Sequence, residues 1–363
     1  MKHRLNALLL VPLVGASLSG CGGTGPRDEP GTEPLPPQLT IAPADLTPFR
    51  DALEPYGEWT ETREYGTVWV PYATPAGWRP YTTGRWLATN HGWMWVEEEP
   101  WGWAAFHYGR WAPDERLGWV WIPGNTWAPS WVAWRHGQGY VGWAPLSPKL
   151  DWKRESTSDR SDALERDIDL FAWSFVRARD FGSRSIASQV APAGRNPTLR
   201  SLTQGAGRYA AAGARVAERG FSESGAVELP RRYRVVDATA HRQNRAPIVQ
   251  GSTVEIYRPE ALKSPAPQTC SSLSQRSSPG RVQDMTERER REQERFEEKL
   301  ARERERLLRE QERERRQRPE SVSEDRLRKR QKTEMEAQES FERRERSLLE
   351  ARRERLREGA RQG

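Results

Sequence analysis

Cysteine and histidine are scarce in this chain. Of its 363 residues only two are cysteine, Cys21 and Cys270, and five are histidine. A disulfide framework is therefore excluded, and the folded parts must be held together by packing. The sequence also lacks paired cysteines, a His-x-x-x-His spacing, a phosphate-binding glycine loop and a Gly-x-Ser-x-Gly elbow. We therefore predict no catalytic residue, no metal site and no cofactor.

Apolar residues are also few for a single globular protein. Only 35% of the chain is hydrophobic, whereas 30% is charged. The residue types are unevenly distributed. All 17 tryptophans fall between Trp59 and Trp173, and 48 of the 79 residues from 285 to 363 are Lys, Arg, Asp or Glu. This segregation predicts a chain of several unlike parts rather than one continuous globule.

Residues 1–20 combine a basic start, an apolar run and small residues at the end. This pattern is typical of a secretory signal peptide, and the apolar run is too short to span a membrane as a helix. It ends in Leu18-Ser19-Gly20-Cys21, which resembles the lipobox of bacterial lipoproteins. The resemblance implies that Cys21 is acylated and becomes the mature N-terminus. The alternative is an ordinary signal peptide in which Cys21 is incidental.

The lipobox resemblance also implies a location. Gly22, rather than Asp, follows Cys21, and in the sorting scheme of many Gram-negative bacteria this favours the outer membrane. Acyl chains bury many methylene groups at about 0.8 kcal/mol each, enough to hold a protein on a bilayer. Residues 21–48 are rich in proline and small polar residues, so we expect a flexible tether between the lipid and the first folded domain.

Residues 49–148 contain a recurring tryptophan pattern. Trp69, Trp95 and Trp121 are 26 residues apart, and each lies in an alternating segment that follows a glycine. A fixed period in this range predicts a repeat architecture, and each unit is typical of a β-hairpin. Residues 131–143 predict a fourth, degenerate hairpin. Because an isolated hairpin is only marginally stable in water, the hairpins must join and bury a shared face of tryptophan rings.

The tryptophan motifs carry a family resemblance. The combination of Gly-x-Trp, Gly-Trp-x-Trp-Val/Ile and Gly-Trp-Ala-Pro over residues 50–148 resembles a family of exported bacterial proteins of unknown function with tryptophan-rich repeats. Segments at 175–181, 233–237 and 254–259 extend the resemblance into the next region. The resemblance implies export and a repeat domain, and it implies no known activity.

The remaining chain divides into three parts. Residues 149–262 predict a second exported region, mixed or β, with short elements joined by long loops. Residues 263–284 are rich in Ser and Pro and predict a linker. Residues 285–363 consist of helix-forming Glu, Arg, Gln and Leu, with many acids four positions before an arginine. Pro319 is expected to break this charged helical tail.

Apolar residues in the tail are too sparse to fill both core positions of a coiled coil through several heptads. We therefore favour a self-standing charged helix over a coiled coil. The predicted fold class is a multi-part protein: all-β tryptophan-rich repeat hairpins, a mixed second region, and a long charged C-terminal α-helix.

The tryptophans allow two interpretations. Most are needed as core, because the hairpins contain few other large apolar residues. A few exposed rings could stack on sugar faces, and the candidate ligand-stacking residues are Trp93, Trp101, Trp103 and Trp119. The acidic triplet at 97–99 is interpreted as a solvated strand end. The histidines are assigned turn or packing roles rather than metal ligation.

These features predict a lipid-anchored, non-enzymatic protein of the cell envelope with a structural or interaction role. The first alternative is a module that binds cell-wall glycan or another surface polymer through exposed tryptophans, and a hydrolase within residues 149–262 is a remote one. The expected partners are the membrane through the lipid, peptidoglycan or envelope proteins, and a second copy through the helical tail. Nucleic acid is not expected, because glutamates interleave with the arginines of the tail.

Overall fold

The computed structural model describes residues 46–72, 74–75, 77–150, 164–212, 215–219, 221, 234–237, 247–259 and 282–362. The predicted signal peptide, Cys21, and most of the predicted tether and linker lie outside these residues. All the described residues belong to one compact unit of the chain.

Four β-hairpins follow the short helix α1 (Thr47–Leu53). They are β1 (Gly57–Thr62) with β2 (Gly66–Pro71), β3 (Gly84–Thr89) with β4 (Gly92–Glu97), β5 (Arg110–Asp114) with β6 (Gly118–Ile122), and β7 (Val132–Gly137) with β8 (Tyr140–Pro145). The short helix α2 (Gly102–Ala105) lies between β4 and β5. We call residues 46–150 the tryptophan module. The hairpins predicted from the tryptophan pattern are confirmed.

In each hairpin two tryptophans stand directly opposite each other on antiparallel strands. These pairs are Trp59 with Trp69, Trp86 with Trp95, Trp111 with Trp121, and Trp134 with Trp143. The turns place glycines at positions that other residues adopt only with strain: Gly66 has a φ of +67° and Gly118 a φ of +79°. The turn therefore sets the register that brings tryptophan opposite tryptophan.

The glycine of the Gly-x-Trp motif has a packing role. A Cβ on Gly57 would lie 2.3 Å from the indole of Trp69, and a Cβ on Gly84 would lie 2.8 Å from the indole of Trp95. The ring on the second strand thus rests on bare backbone of the first strand. The motif Gly-x-Trp in the sequence marks an indole packed across its own hairpin.

The hairpins join into separate sheets. One four-stranded sheet has the order β1-β2-β6-β5, and β3 and β4 form a sheet of their own. A second four-stranded sheet has the order β10-β7-β8-β9, where β9 is Ser174–Arg177 and β10 is Gln204–Ala206. Tryptophan rings fill the space between sheets, since the centroids of Trp86 and Trp134 are 4.6 Å apart.

The second region, residues 164–259, is mixed. Besides β9 and β10 it contains α3 (Asn196–Leu202), β11 (Arg208–Ala212), β12 (Arg215–Arg219), β13 (Arg234–Asp237), β14 (Ile248–Gln250) and β15 (Thr253–Ile256). β13 pairs parallel with β15, which pairs antiparallel with β14. β9 and β10 cover the two edges of the fourth hairpin, so the second region shares a sheet with the tryptophan module.

Two long helices, α4 (Val282–Arg316) and α5 (Glu324–Gln362), end the described chain, and Pro319 lies between them. They run antiparallel, because Arg304 of α4 bonds to Glu342 of α5 while Arg346 of α5 bonds to Glu297 of α4. We call the pair the helical hairpin. It packs on the second region as well as on itself, so the expectation of a self-standing charged helix is wrong.

Candidate functional site

The tryptophan rings lie inside the protein. Of the sixteen tryptophans that the structure describes, fourteen are buried, and Trp59 and Trp119 are half-buried. Trp93, Trp101 and Trp103, the predicted ligand-stacking residues, are 2%, 6% and 2% exposed. They cannot stack on a ligand unless the core opens, so the interpretation of these three as a binding surface is corrected. Trp119 is the one predicted residue of the four whose ring is partly accessible.

Contacts between rings explain this burial. Trp101 meets Trp69 edge-on, with 5.2 Å between the ring centroids, and Trp103 meets Tyr257 of the second region edge-on at 4.9 Å. Edge-to-face contacts are favourable because the positive edge of one ring meets the negative face of the next. The rings beside the acidic loop are therefore structural, and a functional site has to be sought among polar groups.

A buried acid–histidine pair lies within the tryptophan module. Glu97 and His107 are both buried, and His107 Nε2 lies 3.3 Å from a carboxylate oxygen of Glu97. The other ring nitrogen, Nδ1, lies 3.0 Å from the carbonyl oxygen of Ala128, and the ring stacks on Trp127. Gly102 leaves room for the acid, since a Cβ there would lie 2.1 Å from Glu97 Cγ. The expectation of a solvated strand end is wrong for Glu97, because its carboxylate has a buried partner.

Glu99 lies near the same pair and is half-buried. Burial raises the pKa of its carboxyl to about 7, backbone hydrogen bonds oppose this shift, and the charge of Glu97 adds to it. A hydrogen bond with the side chain of Trp78 also holds the Glu99 carboxyl. This group can exchange a proton near neutral pH, and its neighbours are packed rings.

A second set of buried polar groups joins the helical hairpin to the second region. Arg195, just before α3, is 4% exposed, and its guanidinium lies 2.8 Å from Glu314 of α4 and 3.4 Å from Glu334 of α5. The Glu334 side chain has no exposed surface and also accepts hydrogen bonds from Thr198 (2.6 Å) and Gln311 (3.0 Å). We call these five residues the Arg195 cluster. A buried charge that lost such partners would cost several kcal/mol.

A further cluster of charges lies where the helical hairpin meets the tryptophan module. Arg79 is buried, donates to the carbonyl oxygen of Trp173 at 2.9 Å, and lies with its guanidinium carbon 5.9 Å from the ring centre of Phe341. Lys299 of α4 and Glu345 of α5 lie near it. Burial raises the pKa of Glu345 to about 7, whereas the charges of Lys299 and Arg79 lower it. Charges of both signs therefore hold this contact.

Apolar side chains complete the contact surface of the helical hairpin. The buried members are Ala193, Phe296, Leu300, Phe341 and Leu349, with Phe171 packed against them. The backbone comes close as well: Gly194 N donates to Gln338 Oε1 at 2.9 Å, and a Cβ on Gly194 would lie 2.6 Å from the carbonyl oxygen of Glu334. The two parts are thus docked by ion pairs, apolar packing and one close backbone contact.

The outward face of the helical hairpin carries charges of both signs. Arg302 pairs with Glu298, and Arg309 pairs with Glu305, and all four side chains are more than half exposed. Exposed pairs of this kind add little stability. Neither α4 nor α5, nor any other helix among the described residues, has an apolar stretch long enough to cross a bilayer. The accessible surface of the helical hairpin thus carries charges of both signs, with Leu308 and Leu356 as exposed apolar side chains.

The tryptophan module has a counterpart among known families. Residues 50–150 match a family of unknown function, DUF6600. The match spans the four hairpins and stops before the second region and the helical hairpin. It fits the expectation of an uncharacterised tryptophan-rich domain. Comparisons with curated proteins and with solved structures give no match.

Sequence reasoning did not single out Arg79, Arg195 or Glu334, because each is one charged residue among many. One signal for the docking of α5 is present in the sequence. The positions Leu327, Gln331, Glu334, Gln338, Phe341 and Glu345 recur at alternating spacings of four and three. This is a heptad pattern in which polar residues occupy four of the six positions. Counting apolar residues alone hides it.

Proposed function

We propose that this protein is a lipid-anchored cell-envelope protein with an interaction role and no catalytic one. In this proposal Cys21 holds the exported chain at the outer membrane, the tryptophan module is a rigid base, and the helical hairpin is the surface that meets other envelope proteins. The lipobox at residues 18–21 supports the anchor. The 26-residue spacing of Trp69, Trp95 and Trp121 supports membership of the exported family with tryptophan-rich repeats.

The observation that carries the interaction role is the burial of charges behind the helical hairpin. A charged tail that only solvates the protein gains nothing from burying Arg195 and Glu334, because removing charges from water is costly. A surface that binds a partner does gain, since a fixed orientation lowers the entropy lost on binding. Docking holds helices of 35 and 39 residues in one arrangement.

The partner that fits the outward face is a protein with charges of both signs. Arginine and glutamate alternate there, so the face has no continuous positive potential for nucleic acid or another uniformly charged polymer. Most buried apolar side chains of the tail, such as Phe296, Leu300 and Phe341, are used within the molecule. Self-association through the tail would therefore also have to use the charged face.

The anchor is tested with a Cys21→Ser variant, by palmitate labelling and membrane fractionation of cells that express it. We expect the label to be lost and the protein to leave the membrane fraction. Cys270→Ser is the matched control and should keep both the label and the membrane location. A Cys21→Ser protein that stays as membrane-bound as the parent would refute the anchor.

The interaction role is tested by photo-crosslinking in cells. A photoreactive residue replaces Arg309 on α4 or Arg328 on α5, both exposed. Tyr72 on the tryptophan module, 48% exposed, is the control position. We expect adducts of defined mass from the two helical positions and none from Tyr72. Equal adducts at all three positions, or none at either helical position, would contradict the proposal.

Glycan binding stays the second candidate because two rings are partly accessible. Trp59 and Trp119 are half-buried, and the guanidinium of Arg50 lies 5.5 Å from the ring centre of Trp59. A pull-down on purified peptidoglycan with Trp59→Ala and Trp119→Ala, and with Tyr72→Ala as control, tests it. Loss of binding in the tryptophan variants alone would favour glycan recognition, and equal retention by all variants would count against it.

A hydrolase within residues 149–262 is the remote alternative. Three polar side chains near α3 already have partners within the protein. Arg195 bonds to Glu314, Asn196 donates to the carbonyl oxygen of Trp173, and Thr198 bonds to Glu334. The contacts of Arg195 and Thr198 assign these two side chains to docking of the helical hairpin, and Asn196 bonds within the second region.

A further inference from the structure

A polar cleft opens at the rim of the contact between α4 and the second region. Its volume is about 210 Å³. It is lined by side chains from the β8–β9 edge, from the turns before α3, and from α4. Four of its lining residues are arginines, Arg177, Arg179, Arg195 and Arg306, whereas the acidic ones are Asp180 and Glu310. Arginines therefore outnumber acids among the residues that line the cleft.

Two of the four arginines have an acidic neighbour already. Arg179 Nε lies 3.8 Å from Asp180, and Arg195 is paired with the acids of its cluster. Arg177 lies over the ring of Tyr140, and Arg306 donates to the carbonyl oxygen of Val190. Within the described part of the chain, neither Arg177 nor Arg306 has a carboxylate within 4 Å.

A buried donor also lacks an acceptor at this place. Arg195 Nε is buried and has no hydrogen-bond partner among the described residues, and a carboxylate oxygen of Glu310 lies 3.7 Å from it. A buried N–H without an acceptor costs free energy, and such groups in native proteins need an explanation. An anion in the cleft that accepts from Arg195 would supply one.

We propose that this cleft binds a phosphate group, free or carried on an envelope lipid. Guanidinium groups recognise phosphate through paired N–H donors, and several arginines around one cavity match its charge. The volume is smaller than the roughly 300 to 1,000 Å³ of pockets for drug-sized ligands, so it suits a compact group rather than a sugar chain. Because Arg177 lies on β9 and Arg306 on α4, the bound anion bridges the second region and the helical hairpin.

The test is a titration of the full chain with inorganic phosphate by calorimetry at constant ionic strength. The variants are Arg177→Gln, which removes an exposed side chain, and Arg306→Gln. Arg309→Gln is the matched control, because it removes the same charge from α4 outside the cleft. We expect phosphate binding near or below about 1 mM, weakened about tenfold by either cleft variant and unchanged by the control.

Three outcomes would overturn the site. They are no saturable binding of phosphate to the parent, an equal loss with Arg309→Gln, and binding of acetate as tight as that of phosphate. Near-ultraviolet circular dichroism checks that Arg306→Gln still folds, and Arg177→Gln alone suffices if it does not.

The carrier of the phosphate is decided with vesicles. In the Cys21→Ser background, so that no acyl chain inserts, the protein is mixed with phosphatidylglycerol or phosphatidylcholine vesicles. Binding to the former that is lost with Arg177→Gln supports a lipid headgroup as the source. Binding that Arg177→Gln leaves unchanged, or no binding, overturns the lipid source and leaves free phosphate as the ligand.

Discussion

The tryptophan module and the helical hairpin bury different residue types: the module buries aromatic rings, and the helical hairpin buries many polar and charged side chains. The module buries indole rings, each of which removes on the order of 200 Å² from water and has a single polar group, its N–H, to satisfy. The helical hairpin buries Gln311, Gln331, Glu334 and Gln338 beside a few apolar side chains. Rings tolerate some change in their neighbours, whereas a buried charge requires a particular one. We infer that ring packing supplies most of the stability and that charge burial fixes how the helices dock.

Each region also contains exceptions that sharpen this contrast. The tryptophan module holds the buried pair Glu97–His107, and the helical hairpin holds Phe341 against Phe171 with 5.7 Å between ring centroids. Neither region is therefore purely apolar or purely charged. The difference lies in which kind of side chain occupies most of the interior, and the substitutions below measure it.

The largest loss of stability is expected from Trp86→Ala in β3. The ring of Trp86 contacts Trp95, Trp134, Trp143 and Phe181, and so links two hairpins to the second region. Removing it leaves a cavity and should lower the free energy of unfolding by about 4 kcal/mol, measured by urea denaturation. Trp59→Ala is the control: this ring is half-buried, and we expect about 1 to 2 kcal/mol. Equal losses would show that the rings are not the core.

The next largest loss is expected from Glu334→Ala in α5. It leaves Arg195 without one of its acids and leaves Thr198 and Gln311 without their acceptor. Breaking a buried pair in this way costs about 3 kcal/mol. We expect hydrogen exchange to rise first in α4 and α5, while the tryptophan module stays protected.

Glu336→Ala is the matched control for Glu334→Ala. Glu336 lies two residues further along α5, is 62% exposed at its side chain, and lies 3.8 Å from Lys332. It should behave like the parent. If both variants lose the same protection, the Arg195 cluster does not hold the helices in place.

The sequence predicts the tryptophan module well and the docking of the helical hairpin poorly. The hairpins were predictable because alternation, turn glycines and the Gly-x-Trp spacing are local, as at Gly57 and Trp59. The docking was not, because Arg195 and Glu334 lie 139 positions apart and nothing local separates Glu334 from its exposed neighbour Glu336. Burial of Trp101 and Trp103 also depends on distant rings, Trp69 and Tyr257, so no local pattern reveals it.

A smaller change in stability is expected when pH changes the charge of Glu345. Burial raises its pKa to about 7 in the folded protein, from an ordinary value of 4.5. The docked state therefore favours the neutral carboxyl, and this contribution is fully present below pH 4.5 and is lost as the pH rises through about 7. The charged groups around it are Lys299, Arg79, Arg344 and Glu303.

Between pH 5 and pH 8 the parent should lose about 2 kcal/mol through Glu345, since one pKa unit corresponds to 1.36 kcal/mol and the carboxyl keeps some contact with water. Glu345→Gln should flatten that part of the profile, and the exposed Glu350→Gln should not. Glu99→Gln tests the tryptophan module in the same way, because burial raises its pKa to about 7 as well. If the slope of stability against pH is unchanged in Glu345→Gln and in Glu99→Gln, other groups cause the pH dependence.

The smallest effect is expected from Glu298→Gln on the outward face of α4. Glu298 pairs with Arg302 four residues on, and both side chains are more than half exposed. Such a pair contributes about 0.3 kcal/mol, and salt screens it further. A double-mutant cycle with Arg302→Gln, repeated in high salt, measures this coupling. Glu298 and Glu334 both bond to arginine, so a tenfold difference between their effects would show that burial, and not the pairing itself, gives charges their structural role here. Equal effects would mean that the helical hairpin is held by its surface pairs and that the contrast with the tryptophan module fails.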